Sequence, residues 1–512
     1  MPMYESIKGY CKEEDEWRRK GAGRGSDEES KCLMNDKDRK CAADDFESAL
    51  QISQSPRLPI AKRDSPLSLQ QQQQQQQQTQ RLVSLDVFRG LTVALMIVVD
   101  DIGGILPAIN HSPWNGLTIA DFVMPFFLFI VGVSLAFAYK KVSCRSTATR
   151  KAILRALKLL LLGLFLQGGF FHGIKNLTYG VDIEKMRWLG VLQRIAVAYL
   201  VAALCEIWLK WDDRVGSDLS LMRKYQYHWV VAFVLTTTYL SLLYGLYVPD
   251  WEYQIPVEAP SSAPPQIFSV KCGVCSDTGP ACNAVGMIDR KVLGIHHLYA
   301  RPIYARTKEC SINSPDSGPL PPDAPSWCQA PFDPEGLLSS VMAIVTCLIG
   351  LHYGHTIVHF KVIKLPCVKV YFLFSSHLNF GPQFQSILVT LDSWCLLQDH
   401  RDRIFQWMIL SSCLLVFGLG LDIFGMRLNK ALYSFSYMCV TAGAAGILFA
   451  AIYVLVDVFG YRRVSFALEW MGVHALMIYI FAACNILPLI VHGFYWRQPQ
   501  NNILSLVGIG RR

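Results

Sequence analysis

The stretch VFRGLTVALMIVVDDIGGILPAINH, residues 87–111, decides how the chain is to be read. An α-helix rises about 1.5 Å per residue, so roughly 20 apolar residues cross the hydrocarbon core of a bilayer. This run is long enough, yet Asp100 and Asp101 fall near its half depth. A carboxylate there costs about 2.5–3.5 kcal/mol on insertion scales, and such groups face a protein cavity or a polar pathway. Gly103, Gly104 and Pro107 loosen the last turns, and irregular backbone at that depth survives only where protein or water covers it. The stretch predicts a membrane span with one polar face.

The next residues, NHSPWNGLTIAD (110–121), turn the chain into a second apolar run. Trp114 stands where an interfacial belt residue is expected. Asn115-Gly116 reads as a turn and Thr118 as a helix cap. Asp121 then opens the second span. His111 sits at the mouth above the buried carboxylates, and a His is the usual general base near neutral pH. The competing reading is a capped, aromatic-anchored hairpin with an incidental His. In GVLQRIAVAYL (190–200), Gln193 and Arg194 lie a few residues inside another apolar run. Snorkelling competes there with a role in the same polar pathway. The candidate site is therefore His111, with Asp100, Asp101, Trp114, Asn115, Asp121, Gln193 and Arg194 around it.

Composition supports a membrane class. Of 512 residues, 52% are hydrophobic and 17% charged, against about 25% charged in soluble domains. Apolar runs at 87–109, 117–139, 152–171, 189–209, 229–248, 336–358, 404–424, 432–457 and 466–490 predict an all-α, multi-pass transmembrane bundle of about nine spans. The first eighty residues are polar, include a nine-Gln run at 70–78, and lack the pattern of a signal peptide. They are expected to form a disordered cytosolic tail. The loop KKVSCRSTATRKAILRALK after the second span carries seven Lys/Arg and no acid. Loops after the fourth, sixth and eighth spans are basic too, which puts that side in the cytosol. The net charge of +8 follows from this distribution, and no nucleic-acid partner is expected.

Residues 249–335 then form a long lumenal loop holding Cys272, Cys275, Cys282, Cys310 and Cys328. Disulfides are favoured in an oxidising lumen, over a zinc half-site built on the lone CGVC, and an odd count leaves one thiol free. The sequon at Asn176 falls on the same side.

The run RLVSLDVFRGLTVALMIVVDDIGGILPAINHSPWNGLTIADFVMPFFLFIVGVSLAFA (81–138) resembles the first block of the heparan-alpha-glucosaminide N-acetyltransferase family. GVLQRIAVAYL (190–200), GMIDRKVLGIHHLY (286–299), FDPEGLLSS (332–340) and LNKALYSFSYM (428–438) are similar to further family blocks in the same order. The polar leader resembles the plant-type members. The resemblance implies an acyltransferase domain over 81–500 in an endomembrane, lysosomal or vacuolar. Its co-substrate would be cytosolic acetyl-CoA, its acceptor the amino group of a lumenal glucosamine-like sugar, with no metal, and its assembly a homodimer. The family's active-site histidine falls at His111; a neighbouring Asn falls, by spacing, on Asp100, a departure that changes the local charge. A transporter of a polar metabolite and an inactive family member are the alternatives.

Two segments depart from the family pattern. Residues 362–398 form an insertion of mixed character, beginning with Val and ending in Leu-Leu-Gln as a retained intron would encode. It is expected in a cytosolic loop, without helical period. The family also has a further C-terminal span, whereas residues 501–512, NILSLVGIGRR with its preceding Asn, read as a truncated end.

Overall fold

Hydrocarbon offers a spanning backbone no partner but itself, so apolar runs of this length fold as helices. The computed structural model describes residues 82–483, apart from 104–108, 141, 143, 173–177, 182–185, 211–222, 255–266, 300–302, 317 and 360–381. In chain order the helices are α1 (Val83–Ile102), α2 (Ile119–Ala138), α3 (Arg145–Gly168), α4 (Val191–Trp208), α5 (Gln226–Gly245), α6 (Ala284–Leu293), α7 (Leu337–His359), α8 (Pro382–Ile423), α9 (Phe435–Tyr453), α10 (Arg462–Val473) and α11 (Ala475–Ala483). A short π-helical stretch, Val454–Val458, prolongs α9. The strands among the described residues make only two-stranded antiparallel pairs, such as Trp251–Gln254 with Ile267–Val270 in the long loop.

The nine expected spans come down to six described helices long and apolar enough to cross a membrane, or seven when α10 and α11, bent by 67°, are taken as one. Charge is the reason. Helix α1 carries Asp86, Arg89, Asp100 and Asp101, and α3 opens with Arg145, Arg150, Lys151, Arg155 and Lys158. The apolar residues of α3 still face outward, with Leu161 and Phe165 each 55% exposed. The molecule is a multi-pass helical membrane protein.

Helix α7 is the axis, 83% buried over its span, whereas the spanning part of α8 is 17% buried and faces outward. Small residues let α7 approach α2. A Cβ on Gly132 would meet the Cys347 carbonyl at 2.0 Å, and one on Gly350 would meet that of Phe129 at 2.2 Å. Close backbone approach through glycine is how helices associate where lipid removes the hydrophobic drive between them. The second half of the 362–398 insertion differs from expectation: residues 382–398 are helical and run without a break into the span. The remainder of the insertion, the 1–80 tail, Asn176 and residues 484–512 lie outside the described residues.

Candidate functional site

Helix α2 begins the site. Thr118 is its cap, and Asp121, three residues on, turns back to it. The Asp121 Oδ2 accepts from Thr118 N–H at 3.0 Å, from the Thr118 hydroxyl at 3.0 Å and from Ser112 N–H at 3.2 Å. That leaves Oδ1 for His111 Nδ1, 2.8 Å away. Four residues further, Pro125 has no N–H to return to the Asp121 carbonyl. The Tyr437 hydroxyl of α9 donates to that carbonyl instead. One residue is thus held through both its side chain and its backbone, and it holds His111 in turn.

Two loops close over this point. The segment between α8 and α9 is fastened to the His111 loop by Gly116 N–H on the Leu428 carbonyl (2.8 Å) and by Asn429 Nδ2 on Asn115 Oδ1 (3.3 Å). Gly116 has φ of +105°, the left-handed region that the Asn-Gly turn requires. This fastening brings Lys430 Nζ to 2.9 Å from His111 Nδ1, 3.1 Å from Nε2 and 3.8 Å from Asp121 Oδ1. From the long loop, Arg306 donates to the His111 carbonyl at 2.8 Å. That loop carries the disulfides Cys272–Cys282 and Cys310–Cys328, with Cys275 free and exposed.

His111 is oriented by its neighbours and still open, with 42% of its side chain accessible. Burial and the Lys430 ammonium hold its imidazole below the usual 6.5, although the bond and charge of Asp121 pull the other way. With Nδ1–H donated to Asp121, the basic lone pair is on Nε2.

The opening leads into a cavity of about 670 Å³ between α1, α2, α3, α4, α10 and α11. His111, Asp100, Glu335 and Lys430 line one part of it; Arg89, Ser134 and Arg155 line another; Phe127, Ile130, Ile195 and Leu476 are among the apolar residues of its wall. Arg89 is anchored to Asp86 at 2.8 Å and to Ser134 at 3.2 Å. Such a volume is typical of ligand sites, which are mostly apolar with a few placed polar groups.

Glu335 belongs to a second network. Arg187 bridges Asp333 and Glu335, and its guanidinium lies 4.8 Å from the Tyr299 ring. Burial pushes Glu335 up, but Arg187, Arg194 and Lys430 outweigh it and hold its carboxyl at about 2. A depressed carboxylate stabilises the fold at pH above its unfolded value near 4.5, and that stability is lost progressively as pH falls below it.

The structure separates the predicted residues. His111 and Asp100 line the cavity, and Asp121 does not line it but is bonded to the His111 ring. Asp101 lies on α1, and its side chain falls outside the described residues. Trp114 is not an interfacial belt residue: it is 7% exposed, donates to the Thr278 carbonyl at 3.1 Å, and packs edge-on against Tyr304 and Phe332. The long loop folds back over the bundle and covers it. Asn115 is a clamp and does not line the cavity. Arg194 neither snorkels nor reaches the cavity. It is 2% exposed, donates to the Pro334 carbonyl at 2.8 Å and to the Ser339 and Ser340 hydroxyls, and so ties α4 to the start of α7. Gln193 is equally buried, against Gln167. Sequence reasoning missed Lys430, Glu335, Arg187 and Arg306. Two of them lie in segments already conspicuous, Lys430 in LNKALYSFSYM and Glu335 in FDPEGLLSS. Among the described residues no group of three or more His, Cys, Asp or Glu is placed to hold a metal.

A spanning helical bundle with an oriented imidazole opening on an internal cavity is the architecture of a membrane-embedded enzyme or carrier. Residues 81–243 match the family model "Heparan-alpha-glucosaminide N-acetyltransferase, catalytic". The chain is also 26% identical over 435 residues to the heparan-alpha-glucosaminide N-acetyltransferase of Mus musculus, covering 82% of this chain and 56% of that one. It is 26% identical over 416 residues to that of Homo sapiens, covering 78% and 52%. Over these stretches the chain is similar to heparan-alpha-glucosaminide N-acetyltransferases, and it spans about half the length of these two relatives.

Proposed function

We propose that this protein is a transmembrane acetyltransferase, moving an acetyl group from cytosolic acetyl-CoA to the amino group of a lumenal glucosamine-like acceptor. The observation that carries this reading is an imidazole fixed by Asp121 and facing a cavity that also reaches Arg89 and Arg155. Acetyl-CoA cannot cross hydrocarbon, because its phosphates meet the cost of burying charge. In this reading Arg89 and Arg155 receive the charged end of the donor, and the apolar wall takes its pantetheine arm.

The acceptor enters from the opposite end as an ammonium, drawn by the ionised Glu335 and by Asp100. The ammonium first gives one proton to solvent, and His111 Nε2 removes a second as the neutral amine attacks the thioester, a contribution of typically 10²–10⁴-fold. A second route has Nε2 take the acetyl group first and pass it on, which would give ping-pong kinetics. The names of the two relatives support the acetyl-transfer class, and the basic loops support the sidedness. A lysosomal or vacuolar membrane and a homodimeric assembly complete the proposal.

The test is labelled acetyl-CoA supplied to sealed membranes carrying wild type or His111→Ala, with a panel of amino sugars. Transfer in wild type and its loss in the variant is the expected result. Uptake of the sugar without acetylation would replace the enzyme with a carrier, which moves its cargo by alternating access and needs no base.

A further inference from the structure

Lys430 has no part in the mechanism so far. Of the described charged residues that line the cavity near His111, Asp100 and Glu335 are carboxylates, and Lys430 is the cation. Its ammonium lies almost equally far from the two ring nitrogens of His111, 2.9 and 3.1 Å. No position in the plane of the ring reaches both nitrogens without striking the carbon between them, so the ammonium sits over the ring face. An ammonium carries three donors and no acceptor, and this one stands beside the atom that would remove the acceptor's proton.

Resting on the acetyl-transfer reading above, we propose that Lys430 is a second catalytic residue, whose ammonium donates to the thioester carbonyl oxygen and carries the charge that develops there. The acceptor, a neutral amine once its ammonium has given one proton to solvent, forms a bond from nitrogen to the carbonyl carbon, and the carbon–oxygen π pair moves onto oxygen beside Lys430. His111 Nε2 takes the proton from nitrogen. The oxyanion then collapses, the carbon–sulfur bond breaks with its pair on sulfur, and the thiolate takes the proton from the imidazolium. Lys430 keeps its own protons throughout.

The arrangement also times the proton. Before attack, a cation over the ring opposes protonation of His111, which keeps the base ready. Once the oxyanion forms against Lys430, that opposition is cancelled and the ring accepts the proton. The groups facing Lys430 are His111 from the preceding loop, Asp121 of α2, Glu335 and Arg194 from the segments around the start of α7 and on α4, and Asp100 of α1. Burial lowers the proton affinity of Lys430, with the carboxylates opposing.

The experiment compares wild type with Lys430→Met, Lys430→Gln and Lys430→Arg as full-length chains in membranes, with stabilisation by CoA as the check on folding. Removing one donor to a developing oxyanion costs about 10²–10³-fold in kcat, so Lys430→Met should fall by that factor with KM for acetyl-CoA within about twofold. The acid limb of its pH profile should move to higher pH, because the cation that depresses His111 is gone. Lys430→Arg should keep the limb in place and recover part of kcat. Should Lys430→Met not respond to CoA, Lys430→Gln decides: a kcat and an acid limb equal to wild type overturn the proposal. So does a Lys430→Met whose loss lies wholly in KM. Undiminished transfer by Lys430→Met removes this proposal alone. If wild type itself acetylates no acceptor, the acetyl-transfer reading falls and takes this proposal with it.

Discussion

Among the described residues, two histidine–carboxylate pairs have nearly the same separation, 2.8 Å for His111 with Asp121 and 2.7 Å for His355 with Glu206. Their surroundings differ in every other respect. His355 is 2% exposed and Glu206 1%. Tyr225 stacks on the His355 ring at 3.5 Å, Lys210 bonds Glu206 at 3.3 Å, and His228 lies 3.5 Å away. The void beside them is about 10 Å³, room for a single water at most. His111 opens on a cavity of about 670 Å³. A histidine paired with an acid is a structural tie wherever nothing can reach it. Access separates the two uses.

The comparison fails first if His111→Ala is active. Its expected effect is a loss of about 10²–10⁴-fold in kcat, with thermal unfolding in detergent unchanged or slightly altered, since the ring is already half open. His355→Ala should do the reverse. It leaves Glu206 as a buried charge short of its main partner, and breaking such a pair costs about 3–5 kcal/mol. Turnover per folded molecule should stay within a few-fold of wild type. If His355→Ala abolishes turnover in protein that unfolds normally, the inner cluster is part of the chemistry and access is the wrong criterion.

Asp121→Asn sharpens the contrast within the open pair. The carboxylate raises the proton affinity of His111, against burial and Lys430 which lower it. Without that charge the imidazole falls further below 6.5, so the acid limb of the pH profile should move to lower pH. Lys430→Met moves the same limb upward. Opposite displacements from two neighbours of one ring would be hard to obtain from general loss of structure. The drop in kcat should be about 10-fold or more, because the amide no longer fixes which nitrogen carries the proton. An acid limb that stays in place in both variants would assign it to a group other than His111.

The bundle was legible in its apolar runs, because lipid enforces a single backbone solution. The number of spans was less so: α1 and α3 carry the charges that cavity and loop positions tolerate, and composition cannot say which side of a helix is covered. Asp100 and His111 stood out because a carboxylate inside an apolar run and a histidine just beyond it can be read locally. Lys430 and Glu335 come to the same place from residues more than two hundred positions away, and no period in the sequence announces that meeting. Trp114 misled for a related reason. An aromatic at the end of an apolar run has the same local signature whether it meets headgroups or, as here, lies beneath a folded loop.

The smallest effect tests how the open pair is held. Pro125 leaves the Asp121 carbonyl without its helical donor, and Tyr437 supplies one from α9. In Tyr437→Phe the ring remains packed while the buried carbonyl loses its partner, at a cost of about 1–3 kcal/mol. If that bond only stabilises the fold, unfolding shifts and kcat per folded molecule does not. If it fixes the depth of Asp121, and through it the direction of His111 Nε2, kcat falls a few-fold while KM for acetyl-CoA holds. Restoring a backbone N–H by Pro125→Ala in the Tyr437→Phe background lets the helix close its own bond, and should recover part of kcat. Recovery would assign to the proline and tyrosine together what an ordinary helical turn does elsewhere, with one difference: α9 would be tied to the catalytic residues, so that a shift of that helix reaches the imidazole directly.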